Sequence, residues 1–427
     1  PPAGFRGGTE YDSVKINAAL ASPQPYMVVP AVDTMGHGTA VAGVAAGNGR
    51  ASGGFQKGVA PEASIIMVKL GHTDNENFTR STEVMRAIKY IIDKAEALKM
   101  PVSINISYGT NNGSHDGSSL FETFIDTMSD RWKAVINVAT GNEGSAGHHF
   151  SSEIKQRESV NVEVTIASNT KNIFITLWKN FADTFTFELI SPSGRSSSDI
   201  SATQSLTNFT LDNVTVTIFH RQPTHYSESN EVYFMFQGLE EAIPPGIWNL
   251  VVKGNQVVDG KFDLWLPTLE AVQERTVFLK PALDVTLTIP STAQKVISVG
   301  GYNASIESSA DFSGRGYTRN HGYVKPDIVA PAVGITTVKA GGGYDSFTGT
   351  SIAVPFVTGS AALMMQWGIV NGNDAFLYGQ RVKAFLQKGA RRKFAIDYPN
   401  TIWGYGTLCL NGSMDFLDEY KRGGTAI

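Results

Sequence analysis

The sequence predicts an α/β fold with a mostly parallel central sheet, interrupted by an inserted all-β sandwich. Three observations predict it. Continuous apolar runs ending in glycine-rich turns recur near both ends of the 427-residue chain, at 102–106, 134–138 and 294–299 among others. Such runs mark strands buried on both faces, as in parallel sheets. Residues 347–370 carry no charge at all, and a helix that is apolar all round lies inside a large core. From about 149 to 291, short β-branched and aromatic runs follow one another at even spacing, separated by turn residues.

Composition narrows the function classes. Charged residues make up 17% of the chain, below the usual ~25%. The net charge of −4 gives no basic field for nucleic acid. A single cysteine, Cys409, allows no internal disulfide, and its leucine neighbours predict a buried structural thiol. No signal peptide or membrane span is visible, because Pro355, Thr358, Ser360 and Gln366 interrupt the apolar run. The chain opens on Pro-Pro without a methionine, as a processed or truncated product would.

Taken in order, residues 13–20 read as a short helix and 27–32 as a strand running into Asp33-Thr34-Met35-Gly36-His37-Gly38-Thr39. Glycines on both sides of His37 let the backbone crowd the ring against a substrate. Residues 64–69 read as a buried strand, and the spacing of Val84, Ala87, Ile88, Ile91 and Ala95 predicts a helix over 82–99. The strand at 102–106 leads into Ser107-Tyr108-Gly109, and that at 134–138 into Ala139-Thr140-Gly141-Asn142-Glu143-Gly144.

Within the insert, eight strands are expected at 160–166, 173–178, 185–189, 213–219, 232–236, 248–252, 262–266 and 285–289, a pattern of jelly-roll kind. His148, His149, His220 and His225 have no carboxylate or thiol at ligand spacing and read as surface residues. Trp178, Trp248 and Trp265 suit the sandwich core better than an exposed sugar-binding row. After the insert, Lys325-Pro326-Asp327 reads as a rigid turn, and helices are expected at 352–367 and 380–388.

Ser351 stands where a loop rich in glycine and threonine becomes the uncharged helix. Unpaired N–H groups and the helix dipole favour negative charge there, which suits a hydroxyl whose attack creates an oxyanion. A serine N-cap on a core helix would look the same in this stretch alone.

Three stretches together carry a resemblance: Gly349-Thr350-Ser351-Ile352-Ala353-Val354-Pro355, the run from Asp33 to Gly43, and the run from Ala139 to Gly144. They are similar to the motifs of the subtilisin-like serine proteases, the subtilases, and stand in that family's order. The resemblance implies a subtilisin-like three-layer fold and peptide or protein substrates. It makes Ser351 the nucleophile, His37 the general base and Asn142 the oxyanion donor. Extended substrate would add as a strand beside Ser107, Tyr108 and Gly109. The side chain before the cut would enter near Ala139, Thr140 and Gly141, whose small walls predict room.

The insert narrows the resemblance to the clostridial germination proteases of Csp type. That implies a spore-germination precursor as substrate, and a bacterial spore or cell envelope as the place. Calcium would follow from the family alone; no Asp-x-Asp-x-Asp-Gly loop appears, so no metal or cofactor is expected. The expected organisation is 1–148 as the first catalytic part, with His37 and Asn142, 149–291 as the insert, and 292–427 as the second part, with Ser351.

One member of the triad is missing. Only Asp12 and Asp33 precede His37. Asp12 sits in a polar loop, and Asp33 belongs to the histidine motif itself, four residues from the ring. The triad aspartate is therefore expected on an N-terminal fragment or prodomain, removed or cleaved and retained without a covalent link. The rival reading is a catalytically silent pseudoprotease that binds or regulates.

Overall fold

The computed structural model describes residues 1–71, 80–201, 205–221, 228–239, 241–272, 275–320 and 322–422. The chain opens with α1 (Ser13–Ala21) and α2 (Pro25–Val28), followed by α3 (His37–Ala46), α4 (Ser81–Ala97), β1 (Val102–Ile106), α5 (Leu120–Ser129) and β2 (Ala134–Ala139). The strand expected at 27–32 is absent. Pro25 at the first helical position favours a turn, and Met27 is exposed, with no sheet beside it. The strand expected at 64–69 also joins no sheet, and Ile65 and Met67 are more than half exposed at 59% and 58%.

Ten strands follow: β3 (His149–Glu153), β4 (Ser159–Ile166), β5 (Asn172–Asn180), β6 (Thr184–Ile190), β7 (Ile200–Ser201), β8 (Leu206–Leu211), β9 (Val214–Arg221), β10 (Ser229–Gly238), β11 (Gly246–Gln256) and β12 (Lys261–Trp265). They build two sheets with antiparallel pairing throughout, ordered β3-β12-β5-β10-β9-β8 and β4-β11-β6-β7. Burial alternates along β6 and β11, as it must when one face of each strand packs inward. Phe185, Phe187, Phe234, Phe236, Trp248 and Phe262 meet in the shared core, with Phe187 edge-on to Phe234 at 5.3 Å. Residues 285–289 form no sheet strand; Ile289 makes a single bridge to Thr110.

The return comprises β13 (Ile297–Asn303), β14 (Ser308–Ser309), β15 (Ile328–Pro331), β16 (Ile335–Val338), β17 (Tyr344–Phe347), α6 (Thr350–Met365), α7 (Gly379–Lys388) and α8 (Leu410–Lys421). β1, β2, β13 and β15 run parallel in that order, with Ile104 opposite Ile136 and Gly300 opposite Val329. Side chains of β2 alternate between two cores. Val135 and Ala139 pack with Val354, Val357 and Met364 of α6, while Ile136 and Val138 pack with Ile88 of α4 and Ile125 of α5. Helices thus cover both faces of the sheet. The stretch Thr350–Val370 is long and apolar enough to cross a membrane, yet it is mostly buried as the core helix.

Two polar devices hold this frame. Trp265 of β12 is stacked between His115 and His149, with ring centroids 4.1 and 4.6 Å away. Beside it Asp263 accepts from Arg319 Nε at 2.7 Å and lies 3.1 Å from His149 Nε2. The second device is Asp327, which is buried. Its carboxylate meets Lys325 at 2.7 Å, Lys383 at 2.9 Å and the Ser298 N–H at 2.8 Å. Burial alone would raise the Asp327 pKa, but the two ammonium groups override it and hold it below the ordinary value. Asp327→Ala strands two buried cations, and denaturant titration should show a loss of about 3–5 kcal/mol.

Candidate active site

His37 is the first residue of α3, reached through Gly36, whose φ of +79° favours glycine. The loop before it is fastened by Asp33, which accepts from Gly36 N at 2.8 Å, Thr39 N at 2.9 Å and Thr39 Oγ1 at 2.6 Å. The Thr39 hydroxyl is the main cause of its lowered pKa. Asp33 is therefore a cap, and Asp12 is one too, accepting from Lys15 N at 2.9 Å at the start of α1. The His37 pKa lies below the usual value because surrounding atoms displace water, an effect opposed by the charges of Asp33 and Glu270.

Ser351 lies in the first turn of α6, where N–H groups have no intrahelical partner. Ala40, Val41 and Val44 of α3 share one buried cluster with Ile352, so the first turns of α3 and α6 meet. Asn142, past the end of β2, is turned by Thr350. The Asn142 Oδ1 accepts from Thr350 N and from Thr350 Oγ1, each at 3.1 Å. Its Nδ2 is left on the outer side, 3.5 Å from Glu270 Oε1. Ser107 Oγ donates to the Ser351 carbonyl at 3.0 Å, tying the loop after β1 to the same helix.

The remaining residues singled out by sequence line the neighbourhood. Tyr108 shares a cavity wall with His37 and Ser107. Thr140 is buried, its N–H donating to Val299 O at 3.1 Å. Beside the room expected near Ala139-Thr140-Gly141, Thr288 packs against both Gly109 and Gly141. A Cβ at Gly109 would fall 2.2 Å from Thr288 Oγ1, and one at Gly141 would fall 2.4 Å from its Cγ2. Thr288 is buried, and its hydroxyl finds no partner.

Three expectations need correction. His148, His149 and His220 are buried rather than on the surface. His148 meets Glu143, five residues before it, at 2.7 Å, and His149 meets the sequence-distant Asp263, so carboxylates do accompany them. His225 lies outside the described residues. Cys409 is half-buried, and its Sγ accepts from Gly412 N at 3.4 Å as the cap of α8. Among the described residues no group of three or more His, Cys, Asp or Glu is placed to hold a metal. Thr288 and Glu270 escaped sequence reasoning, because both stand on irregular chain without a motif.

Comparison with known proteins decides the family. Residues 20–235 and 254–406 match the model of the subtilase family. The chain belongs to the subtilase family. Among solved structures this subtilase is similar to the CspB protease of Clostridium perfringens, with 38% identity and a TM-score of 0.91 over 97% of this chain and 86% of that one. It is 32% identical over 149 residues to the serine protease AprX of Bacillus subtilis (strain 168), covering 30% of this chain and 32% of AprX. It is 33% identical over 141 residues to the membrane-bound transcription factor site-1 protease of Mus musculus, covering 32% of this chain and 13% of that relative. The subtilase thus spans about a third or less of these curated relatives. Its fold is subtilisin-like, with mixed α/β content.

Asn142→Ala removes the amide donor together with the oxygen that accepts from Thr350 N and Oγ1. In the active enzyme kcat is expected to fall about 10²–10³-fold with little change in KM, a size taken from a subtilisin rather than from this geometry.

Proposed function

We propose that this subtilase is a serine endopeptidase working through an acyl-enzyme. His37 takes the proton of Ser351 Oγ as it attacks the scissile carbonyl, and later returns it to the leaving amine. The Ser351 N–H and Asn142 Nδ2 hold the oxyanion. One observation carries this reading. Thr350 binds the oxygen of Asn142 through two hydrogen bonds of 3.1 Å, which leaves the amide hydrogens beside the first turn that bears Ser351. Extended substrate lies along Ser107, Tyr108 and Gly109. With Thr288 filling the space toward Gly141, the residue before the cut is small. Thr288→Gly is expected to shift preference toward larger residues at that position, measured with a peptide library.

The triad carboxylate we assign to a separate extended segment. A cavity of about 770 Å³ lies between the free edge of β1 and the unpaired chain from Ala63 to Leu70, and His37 stands on its wall. Val84, Ile88 and Leu363 line it from the helices on either side. Two unpaired backbone edges across an apolar slot suit a strand added between them. Such a segment, an N-terminal fragment or retained prodomain piece, would bring its aspartate to His37. The 1–148, 149–291 and 292–427 division belongs to the same reading. So does a jelly-roll insert: with β7 as fifth strand and the β8–β9 hairpin as an addition, the sheets order as 1-8-3-6 and 2-7-4-5. A spore-germination precursor as substrate rests on the resemblance to Csp-type proteases.

The engagement of both Asp12 and Asp33 as caps favours the rival, a silent binding partner. A fluorophosphonate probe separates the two readings. It is expected to label Ser351 in the active protein and to fail with Ser351→Ala and His37→Ala; no labelling under any condition supports the rival. Protonation removes the base, so labelling falls as pH falls through the His37 pKa. For this chain alone the midpoint lies below 6.5. Adding a segment that carries the carboxylate should raise the midpoint, because a neighbouring negative charge favours imidazolium. It should also raise turnover by up to about 10⁴-fold.

A further inference from the structure

We infer that Glu270, on the loop leaving β12, makes the enzyme select substrates with a cationic side chain immediately after the cut. The inference rests on the endopeptidase reading above. The loop comes from the insert, and it is fastened to the turn that carries Asn142. Glu143 Oε1 accepts from Leu269 N at 2.8 Å. Its Oε2 accepts from Asn111 Nδ2 at 3.1 Å and lies 2.7 Å from His148 Nδ1. Asn111 Nδ2 also donates to Leu266 O at 3.0 Å. The loop then closes on itself, with Ala271 N and Val272 N reaching Thr268 O at 2.8 and 3.2 Å. Asn111, Glu143, His148 and Thr268 are all buried, so the anchor is built into the core.

Glu270 is the exposed tip of this buried anchor. Its carboxylate stands 3.5 Å from Asn142 Nδ2 and close enough to His37 for its charge to act on the ring. A negative charge is therefore placed beside the amide that receives the oxyanion and within electrostatic reach of the imidazole that protonates the leaving amine. Left alone, it opposes the charge that develops on the carbonyl oxygen. A lysine or arginine of the substrate neutralises it, and an acidic residue adds to the repulsion, so selection works by attraction and by exclusion. The space on the acyl side, between Gly109 and Gly141, is filled by Thr288. Glu270 instead acts on the imidazole that serves the leaving amine, so the cation belongs to the residue after the cut.

The test uses peptides identical except for Lys, Gln or Glu at the first position after the cut. Two unit charges 4 Å apart in water change binding by about fivefold, so attraction and repulsion together give Lys over Glu by about tenfold or more in kcat/KM. The ratio should shrink in high salt and fall to within about twofold in Glu270→Gln. A ratio that survives in Glu270→Gln overturns the proposal, as does a charge preference found only before the cut. A second measurement needs no turnover. Fluorescence polarisation with Ser351→Ala should show the Lys peptide binding about fivefold or more tighter than the Glu peptide, and the difference should vanish when Glu270→Gln is added. Equal affinities in Ser351→Ala overturn the proposal. Failure of the endopeptidase reading looks different: no peptide is cleaved by the unsubstituted enzyme.

Discussion

The pair of hydrogen bonds from Thr350 to the Asn142 oxygen is the constraint on which the site depends. Without them the amide could rotate, and in the proposed mechanism it would present its oxygen to the oxyanion, turning a stabilising dipole into a repulsive one. The bonds also reach across the sheet. Asn142 ends the segment that begins in β2, whereas Thr350 begins α6, and the two are separated by the whole β-rich insert. A local contact between a side chain and a helix start therefore fixes the relative position of two distant parts of the chain. The Ser107 bond to the Ser351 carbonyl adds a third part to the same knot.

Most of the helices were legible because their signals are local. The spacing of Val84, Ala87, Ile88, Ile91 and Ala95, the charge-free run after Ser351 and the glycine before His37 each report a periodicity or a backbone demand. The strands of the insert were legible for the same reason, since alternation in β6 and β11 is visible residue by residue. What stayed hidden depends on contacts between distant stretches. His149 looks like a surface residue until Asp263 arrives from 114 positions away. Thr288 carries no motif, yet it decides the space between two glycines more than 30 positions apart.

Residues 64–70 show a different kind of failure. Their apolar run is what a buried parallel strand requires, and the prediction was physically sound. Among the described residues the segment nevertheless joins no sheet, and β1 is an edge strand on the side that faces it. Pattern reports what a segment is suited to, whereas pairing needs a neighbour. The mismatch between a strand-like sequence and a strandless backbone is therefore informative in itself, because it marks where hydrogen-bonding capacity remains unused. The His37 imidazole lies at the border of that region.

The stack of His115, Trp265 and His149 has a consequence for how the molecule is put together. Burial pushes His115 down to about 4, so its ring stays neutral against the indole at ordinary pH. Arg319 and Asp263 seal the edge of the same seam. The β-rich portion is thus welded to the body rather than hung from it by flexible hinges. Cutting it out as a cassette would leave the Arg319 guanidinium and the His115 imidazole facing a void, and grafting it elsewhere would carry half of a salt bridge into water.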